Sequence, residues 1–133
     1  MRLTDTRCDA EGVHRCLIVD DNASFLEAAA TLLEREGLTV VGVASTTEDA
    51  LRQAKLLQPD VVLVDIMLGS ENGLDLARRL AESNGGATVI LVSTQAEEDF
   101  AELIADTQAA GFVPKSALSA AAIRRLANEP RER

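Results

Sequence analysis

Two segments, Cys16–Asp21 (CLIVDD) and Val61–Asp65 (VVLVD), place acidic residues directly after an apolar run. Apolar runs of this length, bounded by helical patterns, are typical of parallel strands that are buried on both faces. In an open α/β sheet, ligands bind outside the carboxyl ends of the strands. We therefore expect Asp20, Asp21 and Asp65 to meet at one edge of a sheet. Close carboxylates repel one another unless a cation lies between them, and hard oxygen ligands suit Mg²⁺ or Mn²⁺.

The composition fits one domain with an aliphatic core. The chain has 133 residues, of which 47% are hydrophobic but only 2% are aromatic. Its net charge of −9 argues against a nucleic-acid surface, and it has no basic patch with interleaved aromatic residues. Cys8 and Cys16 do not resemble a disulfide framework, and no apolar stretch approaches the roughly 20 residues that a bilayer requires. Because the sequence also shows no secretory signal, we expect a soluble, cytoplasmic protein without a membrane partner.

Hydrophobic periodicity predicts strands that alternate with helices along the whole chain. Right-handed crossovers turn this (βα)₅ alternation into a doubly wound parallel sheet, an α/β fold. A flexible arm is predicted at 1–14, the domain at 15–127 and a short tail at 128–133. The predicted strands are 15–19, 39–44, 60–64, 88–92 and 111–113. The predicted helices are about 24–36, a segment from a cap at Thr46 or Thr47 to Pro59, 74–81, 96–109 and 118–126.

Every predicted strand except the second ends in a polar residue that could reach a common site. The first ends at the acid pair, the third at Asp65, the fourth at Ser93 and the fifth at Lys115. This set suits phosphoryl transfer to a carboxylate, in which catalysis is mainly positioning and charge neutralisation. Asp65 is the predicted nucleophile because it alone ends an interior strand as a single acid. Asp21 and Asp65 would hold the cation, Lys115 would neutralise charge, and the Ser93 hydroxyl would bind a phosphoryl oxygen.

These residues, at these spacings, resemble the receiver domain of two-component response regulators. Ser93 lies 28 positions after Asp65 (93 − 65), and Lys115 lies 22 positions further on (115 − 93). The loop glycine of the family, eight residues after the phosphoacceptor, matches Gly73 (73 − 65). An aromatic residue three positions before the lysine matches Phe112 (115 − 112). The match extends over about 15–127, and its motifs are specific only in combination.

The resemblance implies a flavodoxin-like fold with five parallel strands in the order 2-1-3-4-5. It implies a signalling switch that accepts a phosphoryl group on Asp65 from a sensor histidine kinase, rather than an enzyme with another substrate. Mg²⁺ would be bound by Asp21, Asp65 and the backbone carbonyl of Met67, with Asp20 acting through water. Ser93 and Phe112 would then carry the conformational switch.

The same resemblance implies an output surface made of the fourth predicted helix, the fifth strand and the fifth helix, and a homodimer could form there. Residues 111–116 (GFVPKS) are similar to receivers that precede LuxR-type output domains. Gly69 stands where the family commonly has proline, which predicts a more mobile loop. The sequence leaves open whether the chain is a stand-alone receiver or part of a longer regulator.

Three alternatives compete with a phosphoaccepting receiver. A haloacid-dehalogenase-type phosphatase with an aspartyl nucleophile needs a second aspartate two residues later, where this chain has Met67. A flavodoxin-like cofactor binder needs a phosphate loop after the first strand, where Asp20 and Asp21 would repel phosphate. A degenerate receiver that binds partners without phosphorylation would lack one or more key residues, all of which are present here.

Overall fold

Five parallel strands form the main sheet of the computed structural model, which describes residues 15–68, 71–82, 87–94 and 109–128. In spatial order the strands run 2-1-3-4-5, which confirms the predicted doubly wound topology. Three strands extend one residue beyond their predicted ends. The strands are β1 (Arg15–Val19), β2 (Thr39–Ala44), β3 (Val61–Asp65), β4 (Thr88–Ser93) and β5 (Gly111–Pro114). A short antiparallel pair, Met67–Leu68 with Glu71–Asn72, occupies part of the loop after β3.

Within the described residues, α1 (Ala23–Arg35), α2 (Thr47–Leu57) and α3 (Gly73–Glu82) connect consecutive strands, and a final helix (Ala120–Asn128) follows β5. The helix predicted at 96–109 falls on residues outside the described part, apart from Ala109, which is not helical. Gly69 and the predicted arm at 1–14 also lie outside it. In the ranges that the structure describes, no helix is both long enough and apolar enough to cross a membrane.

Helices cover both faces of the sheet and bury the strands between two apolar clusters. On one face, α1 and the final helix pack on alternate residues of β1 and β3. On the other face, α2 and α3 pack on the intervening residues. Residues 16–19 and 61–64 are consequently 0% exposed, which explains why these strands have continuous apolar runs. Burial raises the pKa of the Cys16 thiol to about 12, as befits a core residue.

Local capping fixes the ends of α1. The Asn22 side chain accepts a hydrogen bond from the Phe25 N–H at 3.1 Å and begins the helix. At the other end, Gly37 has a φ of 103°, and the Leu38 N–H donates to the Leu33 carbonyl at 3.0 Å. A glycine just after the helix readily adopts this left-handed conformation, which ends α1. The acid pair therefore leads directly into a helix whose first turn is fixed.

The final helix begins two residues later than predicted. Lys115–Ala117 forms a 3₁₀ turn, and the Ser119 side chain then accepts from the Ala122 N–H at 3.0 Å. Glu36, at the end of α1, accepts from the Ala120 N–H at 2.7 Å and, through its carbonyl, from Arg124 at 3.1 Å. Lys115 lies in the 3₁₀ turn between β5 and the final helix. Arg124 therefore helps to hold α1 against the final helix.

Candidate functional site

Three acids meet where β1 and β3 end side by side in the sheet. Val19 is paired with Val64, so the residues that follow them share one edge. One carboxylate oxygen from each of Asp20, Asp21 and Asp65 lies within 4.8 Å of the others. Asp20 is 0% exposed and Asp65 is 5% exposed, whereas Asp21 faces solvent. The acids that the sequence placed at one edge are thus brought together, with one of them open to solvent.

Lys115 lies beside the two buried acids of this group. Its Nζ is 2.6 Å from Asp20 Oδ2 and 3.5 Å from Asp65 Oδ2, and its side chain is only 15% exposed. The closer contact is an ion pair, and Asp20 Oδ2 accepts no hydrogen bond from the part of the chain that the structure describes. One ammonium group therefore lies close to two buried carboxylates, and the third acid of the cluster, Asp21, lies nearby.

Phe25 is a member of the site that the sequence analysis missed. The Lys115 ammonium lies over its ring, 4.3 Å from the centroid. Phe25 is half-buried in the first turn of α1, where the sequence pattern indicates only a residue of the core face. The Asn22 N–H donates to Asp20 Oδ1 at 2.8 Å, so the same cap orients both Asp20 and the start of α1. No local signal predicts the ring contact, because it joins residues that are far apart along the chain.

The backbone around Asp65 is held by the loop that follows it. The Met67 N–H donates to Asp65 Oδ1 at 3.2 Å, while the Met67 residue is 55% exposed. The Gly73 N–H donates to the Ile66 carbonyl at 3.0 Å. A Cβ at Gly73 would lie 1.9 Å from the carbonyl oxygen of Asp65. Only glycine lets α3 begin this close to Asp65, which gives a physical reason for a glycine eight residues further on.

Ser93 and Phe112 occupy the two strands beyond β3. Ser93 ends β4 and is 1% exposed, one residue beyond Val92, the partner of Asp65 in the sheet. Phe112 pairs with Leu91 and is half-buried against the α2–α3 cluster. Ser93 therefore lies near the strand end that carries Asp65, and Phe112 lies one strand further away. Their roles in a switch stay predictions.

Residues 16–127 of this chain match the family model of the response regulator receiver domain. The chain is a response regulator receiver domain. It is 36% identical over 104 residues to the response regulator GacA of Pseudomonas aeruginosa, a match that covers 77% of this chain and 49% of GacA. The receiver domain thus spans about half the length of such curated relatives.

Solved structures show the same fold. A LuxR-family two-component response regulator from Aurantimonas is 28% identical, with a TM-score of 0.73, and the match covers 79% of the receiver domain and 76% of that chain. A response regulator from Burkholderia pseudomallei, solved with a phosphorylated aspartic acid, a calcium ion and citrate, is 27% identical with a TM-score of 0.75. That match covers 84% of this chain and 65% of the other. The predicted resemblance to receivers of LuxR-type regulators is confirmed.

The carboxyl group of Asp65 is harder to ionise than an ordinary aspartate. Burial, followed by the negative charge of Asp20, raises its pKa from 3.8 to about 6. The Met67 N–H and Lys115 oppose this rise but do not cancel it. The site therefore carries more negative charge than one lysine compensates. Such a surplus, presented on hard oxygen atoms, is what a divalent cation would relieve, so these residues fit Mg²⁺.

We expect Asp65→Asn to stabilise the receiver domain in the absence of divalent cations, increasingly so as pH rises. The native pKa of about 6 exceeds the ordinary value of 3.8, so the folded state binds more protons between these values. Ionisation of Asp65 therefore destabilises the folded state. The loss in unfolding free energy grows with pH, is complete above about pH 6 and reaches at most about 3 kcal/mol. Urea unfolding of both proteins at several pH values should show a difference that grows by about 2 kcal/mol from pH 4.5 to 7.5. A difference in unfolding free energy that does not depend on pH would contradict the raised pKa of Asp65.

Proposed function

We propose that this receiver domain accepts a phosphoryl group on Asp65 from the phosphohistidine of a sensor histidine kinase, and that the phosphorylated state controls an output. The observation that carries this proposal is the position of Asp65. Its carboxylate is almost fully buried, shares a 4.8 Å cluster with two other acids, and has Lys115 Nζ at 3.5 Å. A nucleophile, oxygen ligands for a cation and a fixed positive charge are the parts that phosphoryl transfer needs.

In the proposed reaction, a carboxylate oxygen of Asp65 forms a bond to phosphorus while the phosphorus–nitrogen bond of phosphohistidine breaks. The electron pair of that bond stays on the imidazole nitrogen, and the product is an acyl phosphate. The Met67 N–H holds Oδ1 and Lys115 approaches Oδ2, so the carboxylate is oriented before the donor arrives. The reaction needs ionised Asp65, which is the major form above about pH 6.

Asp21, Asp65 and the Met67 carbonyl are the groups that we propose as direct ligands of Mg²⁺, or of Mn²⁺ in its place. Asp20 is the weaker candidate for direct ligation, because its Oδ2 is paired with Lys115 and its Oδ1 accepts from the Asn22 N–H. It would therefore act through water. When bound, the cation would neutralise charge on the phosphoryl oxygens. The phosphorylated aspartic acid and calcium ion of the Burkholderia pseudomallei regulator support both parts of the proposal.

Ser93 and Phe112 are the residues through which we propose that phosphorylation reaches the output surface. The Ser93 hydroxyl would bond a phosphoryl oxygen and draw the end of β4 inward, and Phe112 would follow. The surface itself would comprise the predicted fourth helix, β5 and the final helix, where a second copy could dock. Ala120 is buried and Arg124 donates to Glu36, so Ala121 and Arg125, which are exposed, are the better candidates for contacts.

Incubation with acetyl phosphate and Mg²⁺ should add one phosphoryl group to the protein, and hydroxylamine should remove it. The Asp21→Asn protein should require about 10- to 100-fold more Mg²⁺ for the same rate, because a direct ligand of the cation is lost. Intact-mass spectrometry across a Mg²⁺ titration measures both effects. Asp75→Asn is the matched control, since Asp75 is a partly exposed acid paired with Arg78 on α3.

Two outcomes would contradict the proposal in different ways. A wild-type protein that gains no phosphoryl group under any Mg²⁺ concentration would favour a receiver that binds partners without phosphorylation. An Asp21→Asn protein with an unchanged Mg²⁺ requirement, equal to that of Asp75→Asn, would show that the cation binds elsewhere.

A further inference from the structure

The ring of Phe25 makes a contact that the phosphoryl-transfer chemistry described above does not use. The Lys115 ammonium lies 4.3 Å from the ring centroid, in addition to its two carboxylate neighbours. We propose that Phe25 is a positioning residue, which holds the Lys115 ammonium where phosphoryl oxygens on Asp65 will arrive. This inference rests on the proposed phosphorylation of Asp65.

The surroundings of Lys115 favour an energetically significant ring contact. The Lys115 side chain is only 15% exposed, and an ammonium group that has lost much of its water gains more from an aromatic face than an exposed one. Phe25 is also fixed from its own side. Its N–H donates to the Asn22 side chain, and the Asn22 N–H donates to Asp20. The ring and the closer carboxylate partner of Lys115 are therefore positioned by one capped turn.

The two carboxylate contacts of Lys115 are unequal in length. Nζ is 2.6 Å from Asp20 Oδ2 but 3.5 Å from Asp65 Oδ2, so the unphosphorylated site draws the ammonium toward Asp20. We expect a phosphoryl group on Asp65 to compete with Asp20 for this ammonium. An aromatic face attracts a cation without a formal charge and without a single preferred atom. The ring can therefore keep the ammonium in the site while it exchanges one anion for another.

The test compares Phe25→Leu, which keeps an apolar side chain, with Phe25→Tyr, which keeps the ring. Leu32→Ala is the matched control, because Leu32 is another half-buried apolar residue of α1, about two turns away from Phe25. Three quantities are measured on the wild type and on each variant. They are the affinity for beryllofluoride with Mg²⁺, the rate of phosphorylation by acetyl phosphate, and the NMR shifts of the Lys115 side-chain methylene groups, which an aromatic ring moves upfield.

We expect Phe25→Leu to abolish the upfield shift and to lower both beryllofluoride affinity and phosphorylation rate by about three- to tenfold. Phe25→Tyr should retain the upfield shift, the beryllofluoride affinity and the phosphorylation rate. Leu32→Ala should lower the stability of the protein but leave these three quantities unchanged. If Phe25→Leu removes the shift but binds beryllofluoride and takes up phosphate as the wild type does, the positioning role is wrong while phosphorylation stands. If the wild type itself neither binds beryllofluoride nor gains a phosphoryl group, the proposed function fails and this inference falls with it.

Discussion

Replacing Asp65 by Asn is expected to lower the rate of phosphorylation by acetyl phosphate by about 10⁴-fold or more, which removes detectable labelling. The amide oxygen is a far weaker nucleophile than a carboxylate. Asp20 is also buried, but its Oδ2 is already paired with Lys115 at 2.6 Å. The measurement is the mass gain over time at saturating Mg²⁺.

The Asp65→Asn protein should be folded, because the substitution is isosteric and removes a carboxylate that is costly to ionise. A loss of labelling in this variant therefore cannot be attributed to unfolding. Asp75→Asn should be labelled at the wild-type rate. If Asp65→Asn took up phosphate as fast as the wild type, another residue would be the acceptor and the site described here would be incidental.

Replacing Lys115 by Met is expected to have the second-largest effect, and it acts on both rate and stability. The ammonium is the cation that contacts both buried carboxylates, so its removal leaves them uncompensated. Breaking a largely buried ion pair in this way should cost about 2–4 kcal/mol of unfolding free energy without Mg²⁺. The phosphorylation rate should fall by about 10²- to 10³-fold, as when one preorganised donor is removed from a transition state.

Urea unfolding and acetyl phosphate labelling of the Lys115→Met protein test the two effects separately. Part of the lost stability should return at low pH, because Lys115 lowers the pKa of Asp65 and its removal makes protonation of that carboxyl easier. Lys55→Met, on the exposed surface of α2, is the control for loss of a lysine charge. A Lys115→Met protein phosphorylated at the wild-type rate would show that the lysine is only structural.

The sheet and the acid cluster could be predicted because both follow from short-range patterns. Buried parallel strands need continuous apolar runs, so residues 16–19 and 61–64 identify β1 and β3 directly. Once the strands are parallel, their carboxyl ends share one edge, and the polar residues that follow must lie near one another. This geometry places Asp20, Asp21, Asp65 and Lys115 together from the sequence alone.

Two contacts that sequence analysis missed join elements that are distant along the chain. Hydrophobic periodicity shows that Phe25 faces inward but not that its ring lies under Lys115. In the same way, it shows that Glu36 and Arg124 are polar residues of two helices but not that they contact each other. The 3₁₀ turn at Lys115–Ala117 was not predicted, because three residues are too few to show a period.

The most direct test of the account is to locate the phosphoryl group chemically in the wild-type protein. After incubation with acetyl phosphate and Mg²⁺, borohydride reduces an aspartyl phosphate to homoserine, and peptide mass spectrometry identifies the position. We predict homoserine at residue 65 and at no other aspartate. Homoserine at residue 20 or 21 instead, or a phosphoryl group that resists both borohydride and hydroxylamine, would contradict the assignment of Asp65 as the acceptor.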